Sequence, residues 1–128
     1  MKRKKISRAS RFHKDDQVIV TNPIYGLLEN MIVTVYDGNK DNNEKIEIVA
    51  EGKHFRVATK YLDFPKPNRF STNFDVNDDV KVTRMYCRFL EGSISQVISN
   101  YMGGSNRIII RDERGITGPI PEMFLTCA

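Results

Sequence analysis

The sequence repeats itself, and that repetition constrains the fold more than any other feature. Sliding residues 12–48 by 62 positions without a gap brings Phe12 onto Phe74, Asp16 onto Asp78, Val18 onto Val80, Val20 onto Val82 and Thr21 onto Thr83. The same slide sets Leu28 on Leu90, Glu29 on Glu91, Ile32 on Ile94, Val35 on Val97, Ile46 on Ile108 and Ile48 on Ile110, so eleven of 37 positions agree. After one added residue the register resumes, with Gly52 over Gly115, Val57 over Ile120 and Leu62 over Leu125. Self-similarity at a fixed period marks repeated structural units, and two copies of this length predict two small modules in tandem.

Each copy opens with an acidic turn and a short alternating run, Asp15 to Thr21 and Asn77 to Thr83, which reads as a half-buried strand with Val18/Val20 and Val80/Val82 inward. The next runs, Met31 to Tyr36 and Ser93 to Ile98, are β-branched. Their matching apolar positions, Ile32/Ile94 and Val35/Val97, lie an odd three apart, which predicts all four inward around a bulge or a strongly bent strand. Turn signals follow at Asp37-Gly38-Asn39 with Asn42-Asn43, and at Gly103-Gly104-Ser105-Asn106. Strands through Ile46/Ile48 and Ile108/Ile110, a turn at Gly52 or Gly115, and a final strand reaching Leu62 or Leu125 complete each unit. No segment carries ten residues of helical periodicity with a cap, and Pro119 and Pro121 break the best remaining stretch, so the chain is expected to be all-β. Four or five short strands in so few residues hide their apolar faces by curling into a small barrel.

The string Asp-x-Val-x-Val, a loop, and a small residue before Ile resembles the KOW motif within SH3-like barrels, as in NusG-type transcription elongation factors and several ribosomal proteins. In that motif a glycine opens the second strand. Gly92 supplies it in copy two, and Asn30, the residue that best tolerates a left-handed backbone, stands there in copy one. The resemblance covers roughly residues 12–64 and 74–128. It implies two tandem small SH3-like (KOW-like) barrels. The expected division is a basic disordered tail over 1–14, a first barrel over 15–64, a proline-containing linker over 65–73 and a second barrel over 74–128. The linker's prolines and aromatics leave rigid packing and independent modules both open.

The net charge of +4 conceals a division. Residues 1–14 hold Lys2, Arg3, Lys4, Lys5, Arg8, Arg11 and Lys14 with no acid, so the other 114 residues sum to −3. Copy one is the acidic half, and five of the six bases in copy two are arginines. A basic tail without apolar periodicity is expected to lie along a phosphate backbone and displace counterions, or else to serve as a solvated terminus. Arg84 and Arg88 flank Tyr86 in the first loop of copy two, where the resemblance implies contact with RNA or a protein. Guanidinium forks suit phosphate and aromatic faces suit unpaired bases. Phe89, matching Leu27, is expected to close the barrel end. Arg107 and Arg111, with Ile109 between them, are expected on the outer face, extending a basic strip or solvated against Asp112 and Glu113. The uncharged loop Pro23-Ile24-Tyr25 of copy one suggests a protein contact.

His13 and His54 are isolated in sequence, Cys87 and Cys127 lack metal or disulfide spacing, and no nucleophile elbow or phosphate-cradling glycine loop occurs. No enzyme, metal or cofactor is expected. The reading is a monomeric, non-catalytic protein binding DNA or RNA with low sequence specificity. Its setting, implied by the resemblance, is transcription, transcription regulation, translation or nucleoid organisation, in a reducing cytoplasm or a viral host's cytoplasm, with no membrane span. The rival is an adaptor or phage-type inhibitor docking on RNA polymerase, the ribosome or a host enzyme.

Overall fold

The computed structural model describes residues 8–128, which form an all-β structure with no α-helix. The chain divides into two compact units, Met1–Phe64 and Pro65–Ala128.

In unit 1 the strands are β1 (Arg8–Ala9), β2 (Gln17–Val20), β3 (Ile32–Asp37), β4 (Asn39–Lys40), β5 (Lys45–Ala50), β6 (Lys53–Ala58) and β7 (Leu62–Asp63). Five of them make one antiparallel sheet in the order β6-β5-β3-β2-β7, and β1 pairs with β4 in a separate ribbon. Unit 2 contains β8 (Asp79–Val82), β9 (Ile94–Ser99), β10 (Arg107–Asp112), β11 (Thr117–Pro121) and β12 (Leu125–Cys127), in the order β11-β10-β9-β8-β12. In both units the last strand crosses back to pair with the first long one, and the sheet's two edge strands do not bond to each other. Pro119 and Pro121 lie on edge strand β11, where a missing N–H breaks no interior ladder.

The two units repeat bond for bond. Asp15 N donates to Val35 O at 2.8 Å, as Asn77 N does to Val97 O at 2.8 Å. Val35 N and Val97 N return bonds to Asp16 O and Asp78 O, each at 2.9 Å. Asp16 and Asp78 also accept the amides of His13 and Asp75 at 2.8 Å, so both acidic turns are fixed by a carboxylate. Asn30 sits at φ +69° and Gly92 at +84°, and their amides donate to Val20 O and Val82 O at 2.8 and 2.7 Å. The left-handed entry expected before the second strand is present in both copies.

The core of unit 1 is Phe12, Val18, Val20, Leu27, Val33, Val35, Ile46, Ile48, Val57 and Leu62, all buried. Its counterpart in unit 2 is Phe74, Val80, Val82, Phe89, Val97, Ile108, Ile110, Ile120 and Leu125. Ile32 and Ile94 depart from expectation: Ile32 is half-buried and Ile94 is exposed. The second strand alternates regularly through Val33 and Val35, or Ser95 and Val97, and the irregularity falls later, between Val35 and Asp37 and between Ile109 and Ile110. The odd spacing of three therefore came from an outward isoleucine. Ile109, expected outward between Arg107 and Arg111, is 2% exposed, yet it lies outside the core cluster that holds Ile108 and Ile110.

The boundaries also differ from the charge-based division. Residues 8–14 are built into unit 1, because β1 pairs with β4 and Phe12 is 1% exposed, its ring 5.0 Å from that of Phe64. Residues 69–73 likewise belong to unit 2. Phe70 bridges to Tyr101, their rings 5.1 Å apart, and Ser71 N donates to Asn100 O at 2.8 Å. Ser10 N donates to Gly38 O at 3.1 Å in the matching place, so Arg8-Ala9-Ser10 and Arg69-Phe70-Ser71 are a further stretch of the repeat. Gly38 is required there. A Cβ on it would lie 1.9 Å from Phe12 O.

Candidate nucleic-acid interface

The loop between β8 and β9 is shaped by a tight turn at its tip. Tyr86 and Phe89 exchange backbone hydrogen bonds at 3.1 and 2.9 Å, with Cys87 at φ +49° inside the turn. Phe89, 2% exposed, plugs the core and anchors the turn, as expected of it. The residues around it point outward: Arg84, Met85, Cys87 and Arg88 are exposed and Tyr86 is half-buried. The Arg84 guanidinium stands 5.3 Å over the Phe124 ring, and the Tyr86 ring lies 5.9 Å from the same ring at an interplanar angle of 55°. A guanidinium held on an aromatic face keeps its N–H edge available to an acceptor. Neither Arg84 nor Arg88 has an ion pair among the described residues.

A third arginine joins the loop. Arg114 Nη2 donates to Arg88 O at 2.6 Å, while its Nε and Nη2 donate to Asp112 Oδ2 at 3.0 and 2.7 Å. Asp112 Oδ1 accepts the amides of Arg114 and Ile116 at 2.9 and 3.0 Å, which fixes the turn before β11. Burial works to raise the Asp112 pKa, but the Arg114 hydrogen bonds and charge together with the turn amides outweigh it and hold the carboxyl below its ordinary value. The loop tip and this turn are thus strapped together through Arg114. The sequence pattern offered Arg107 and Arg111 either as an extension of the loop's basic strip or as side chains solvated against Asp112 and Glu113. Those two lie at opposite ends of β10, about 14 Å apart at strand spacing. Arg111 is half-buried, with Nε donating to Thr117 Oγ1 at 2.9 Å, and its cross-strand row runs through Gln96 to Asp79. Arg107 is exposed beside Pro121.

Of the basic opening segment, Lys2, Arg3, Lys4 and Lys5 lie outside the described residues. Arg8 pairs with Glu44, which also takes Lys40 at 3.0 Å. Arg11 Nη2 donates to Leu62 O and pairs with Asp63, both at 3.2 Å, and its guanidinium lies 4.7 Å over Phe12. Lys14 stands 5.8 Å over Tyr36. Arg8 and Arg11 therefore spend much of their charge inside unit 1. In the matching loop of unit 1, Ile24 is half-buried by its exchange of bonds with Leu27 at 3.1 and 2.8 Å, leaving Pro23 and Tyr25 exposed. Tyr25 OH accepts from Lys45 Nζ at 3.3 Å. Among the described residues no three His, Cys, Asp or Glu side chains converge to hold a metal, and Cys87 and Cys127 are exposed free thiols. No helix of the described residues is long and apolar enough to cross a membrane. Neither protein-family models nor curated proteins give a match to this chain.

Proposed function

We propose that this chain is a non-catalytic nucleic-acid-binding protein of low sequence specificity, built from two tandem SH3-like, KOW-like barrels and acting in transcription, translation or nucleoid organisation. The strand order common to both five-stranded sheets, with the last strand beside the first long one, and the left-handed Asn30 and Gly92 support the barrel reading. One observation carries the function: Arg84 and Arg88, without carboxylate partners among the described residues, flank Tyr86 on a loop anchored by buried Phe89 and by the Arg114 hydrogen bond to Arg88 O. Two uncommitted guanidinium groups beside an aromatic ring suit a phosphate backbone with an unpaired base. Fixed placement lowers the ordering cost of binding.

The test is a mobility shift with single-stranded RNA and duplex DNA at low salt. The full chain should bind both with little sequence preference, and Arg84→Ala with Arg88→Ala should weaken binding on every sequence alike. Absence of any shift would sink this reading in favour of a protein-docking adaptor, whose supporting observation is the exposed Pro23 and Tyr25 on an uncharged loop.

A further inference from the structure

We infer that unit 1 carries a phosphate-binding site in an open depression of about 380 Å³ lined by Ala9, Ser10, Arg11, Lys40, Thr59 and Lys60. Three of those six are cations and none is an acid, although unit 1 beyond residue 14 is the acidic part of the chain. Arg11 and Lys40 each have one carboxylate partner outside the lining, Asp63 at 3.2 Å and Glu44 at 3.0 Å. Lys60 has none among the described residues, its Nζ standing 5.0 Å over Tyr61.

The second copy shows what the place is built to hold. Thr59 N donates to Glu44 O at 3.0 Å at the start of the 3-10 turn Thr59–Tyr61, and Glu122 N donates to Asn106 O at 2.9 Å at the start of Glu122–Phe124. Glu122 is therefore the counterpart of Thr59. Ser10 and Ser71 correspond as well, since each hydroxyl accepts the amide of the buried phenylalanine that follows, Phe12 at 3.1 Å and Phe74 at 3.2 Å. In unit 2 the Glu122 carboxylate fills the spot, accepting from Ser71 Oγ at 2.5 Å and from Asn73 Nδ2 at 3.3 Å. In unit 1 the carboxylate is replaced by the short Thr59, the Ser10 hydroxyl donates to Gly38 O at 2.6 Å instead, and the neighbours become Arg11, Lys40 and Lys60, which would supply the donors to an external anion. A scaffold that seats its own oxyanion in one copy, and in the other removes that oxyanion while adding cations, is arranged to take an external one. Bidentate guanidinium and ammonium donors make phosphate the matching chemistry. A nucleic-acid backbone and free phosphate both supply it; the first source rests on the function proposed above, the second does not.

The experiment is a titration of the full chain with inorganic phosphate against chloride at matched ionic strength, following the backbone amides of Ser10, Thr59 and Lys60 by NMR. A saturable shift at these amides is expected. Lys60→Ala, at an exposed position, should weaken it about tenfold, the loss of one charge-assisted bond. Thr59→Glu should abolish it by recreating the seated carboxylate, with a thermal melt confirming that unit 1 is folded. Arg84→Ala with Arg88→Ala should leave it unchanged, which separates this site from the loop of unit 2. If an oligonucleotide without terminal phosphate shifts the same amides and competes with phosphate, the ligand is a nucleic-acid backbone; if it does not, the ligand is free phosphate. Shifts no larger than those in chloride, or full retention of the response in folded Thr59→Glu and in Lys60→Ala, would overturn the inference.

Discussion

Single residues carry the repeat's geometry where side-chain chemistry has drifted. Gly92 and Asn30 occupy the same left-handed position, and nothing lies within 4 Å of a Cβ placed on Gly92, so substitution there tests backbone strain alone. Gly92→Val should lower the stability of unit 2 by about 1–3 kcal/mol, and Gly92→Asn should cost distinctly less, because asparagine already holds this conformation in unit 1. Urea melts of the two variants check the ordering, and equal costs would remove the strain argument. Ser95 is the opposite case. It matches Val33, is 4% exposed, and its hydroxyl has no hydrogen-bond partner. Ser95→Val should therefore raise stability by about 1 kcal/mol, through removal of an unsatisfied donor and recovery of apolar burial. A loss instead would mean that the hydroxyl is satisfied by water. The left-handed position was legible from the sequence because a glycine and an asparagine coincided under one slide. The inward serine was not legible, because the matching isoleucines at 32 and 94 were read as inward around a bulge, which left Ser95 on the outer face.

At the scale of elements, the strands were readable and their connections were not. Matching isoleucines and valines located the long strands, yet the single final strand expected to reach Leu62 or Leu125 is two strands broken by a 3-10 turn, Thr59–Tyr61 or Glu122–Phe124, and the upstream ribbon stayed hidden. Arg8-Ala9-Ser10 and Arg69-Phe70-Ser71 align only after a one-residue shift, and charge density in the first of them outweighed a single buried phenylalanine in the reading. The strap from Arg114 to the loop was invisible for a related reason: it depends on Asp112 turning its carboxylate inward at the end of β10. That turn gives a pH-dependent prediction. The folded Asp112 carboxyl is held below its ordinary value of 3.8, so its contribution to stability is complete above that pH and is lost as pH falls through the lower folded value. Unit 2 should lose stability on acidification below about pH 4, and Asp112→Asn should be less stable at neutral pH while converging on the parent protein in acid. Thermal melts between pH 7 and pH 2 decide it. A constant difference across that range would show that Asp112 acts through shape and not through charge.

On the scale of the whole molecule, the excess of positive charge sits in residues 1–14, of whose cations the structure describes Arg8, Arg11 and Lys14. Arg8 and Arg11 are paired with Glu44 and Asp63 and are part of unit 1, as is Phe12, whose loss to alanine alone should cost about 3–5 kcal/mol in so small a core. Removing all of residues 1–14 would therefore confuse lost charge with lost folding, and the informative truncation ends at residue 7. If Lys2, Arg3, Lys4 and Lys5 each displace a counterion from duplex DNA, deleting residues 2–7 should leave the melting transition in place and reduce the log–log salt slope of binding by up to about 3.5. Affinity should fall alike on unrelated sequences, because phosphate contacts carry no sequence information. Combining the truncation with Arg84→Ala and Arg88→Ala should remove up to about two further slope units if the loop of unit 2 contributes its own phosphate contacts. An unchanged slope after truncation, with binding intact, would assign the electrostatics to the folded units and leave the opening segment as a solvated terminus. A slope that vanishes on truncation alone would instead confine the phosphate contacts to the tail and remove the loop arginines from the interface.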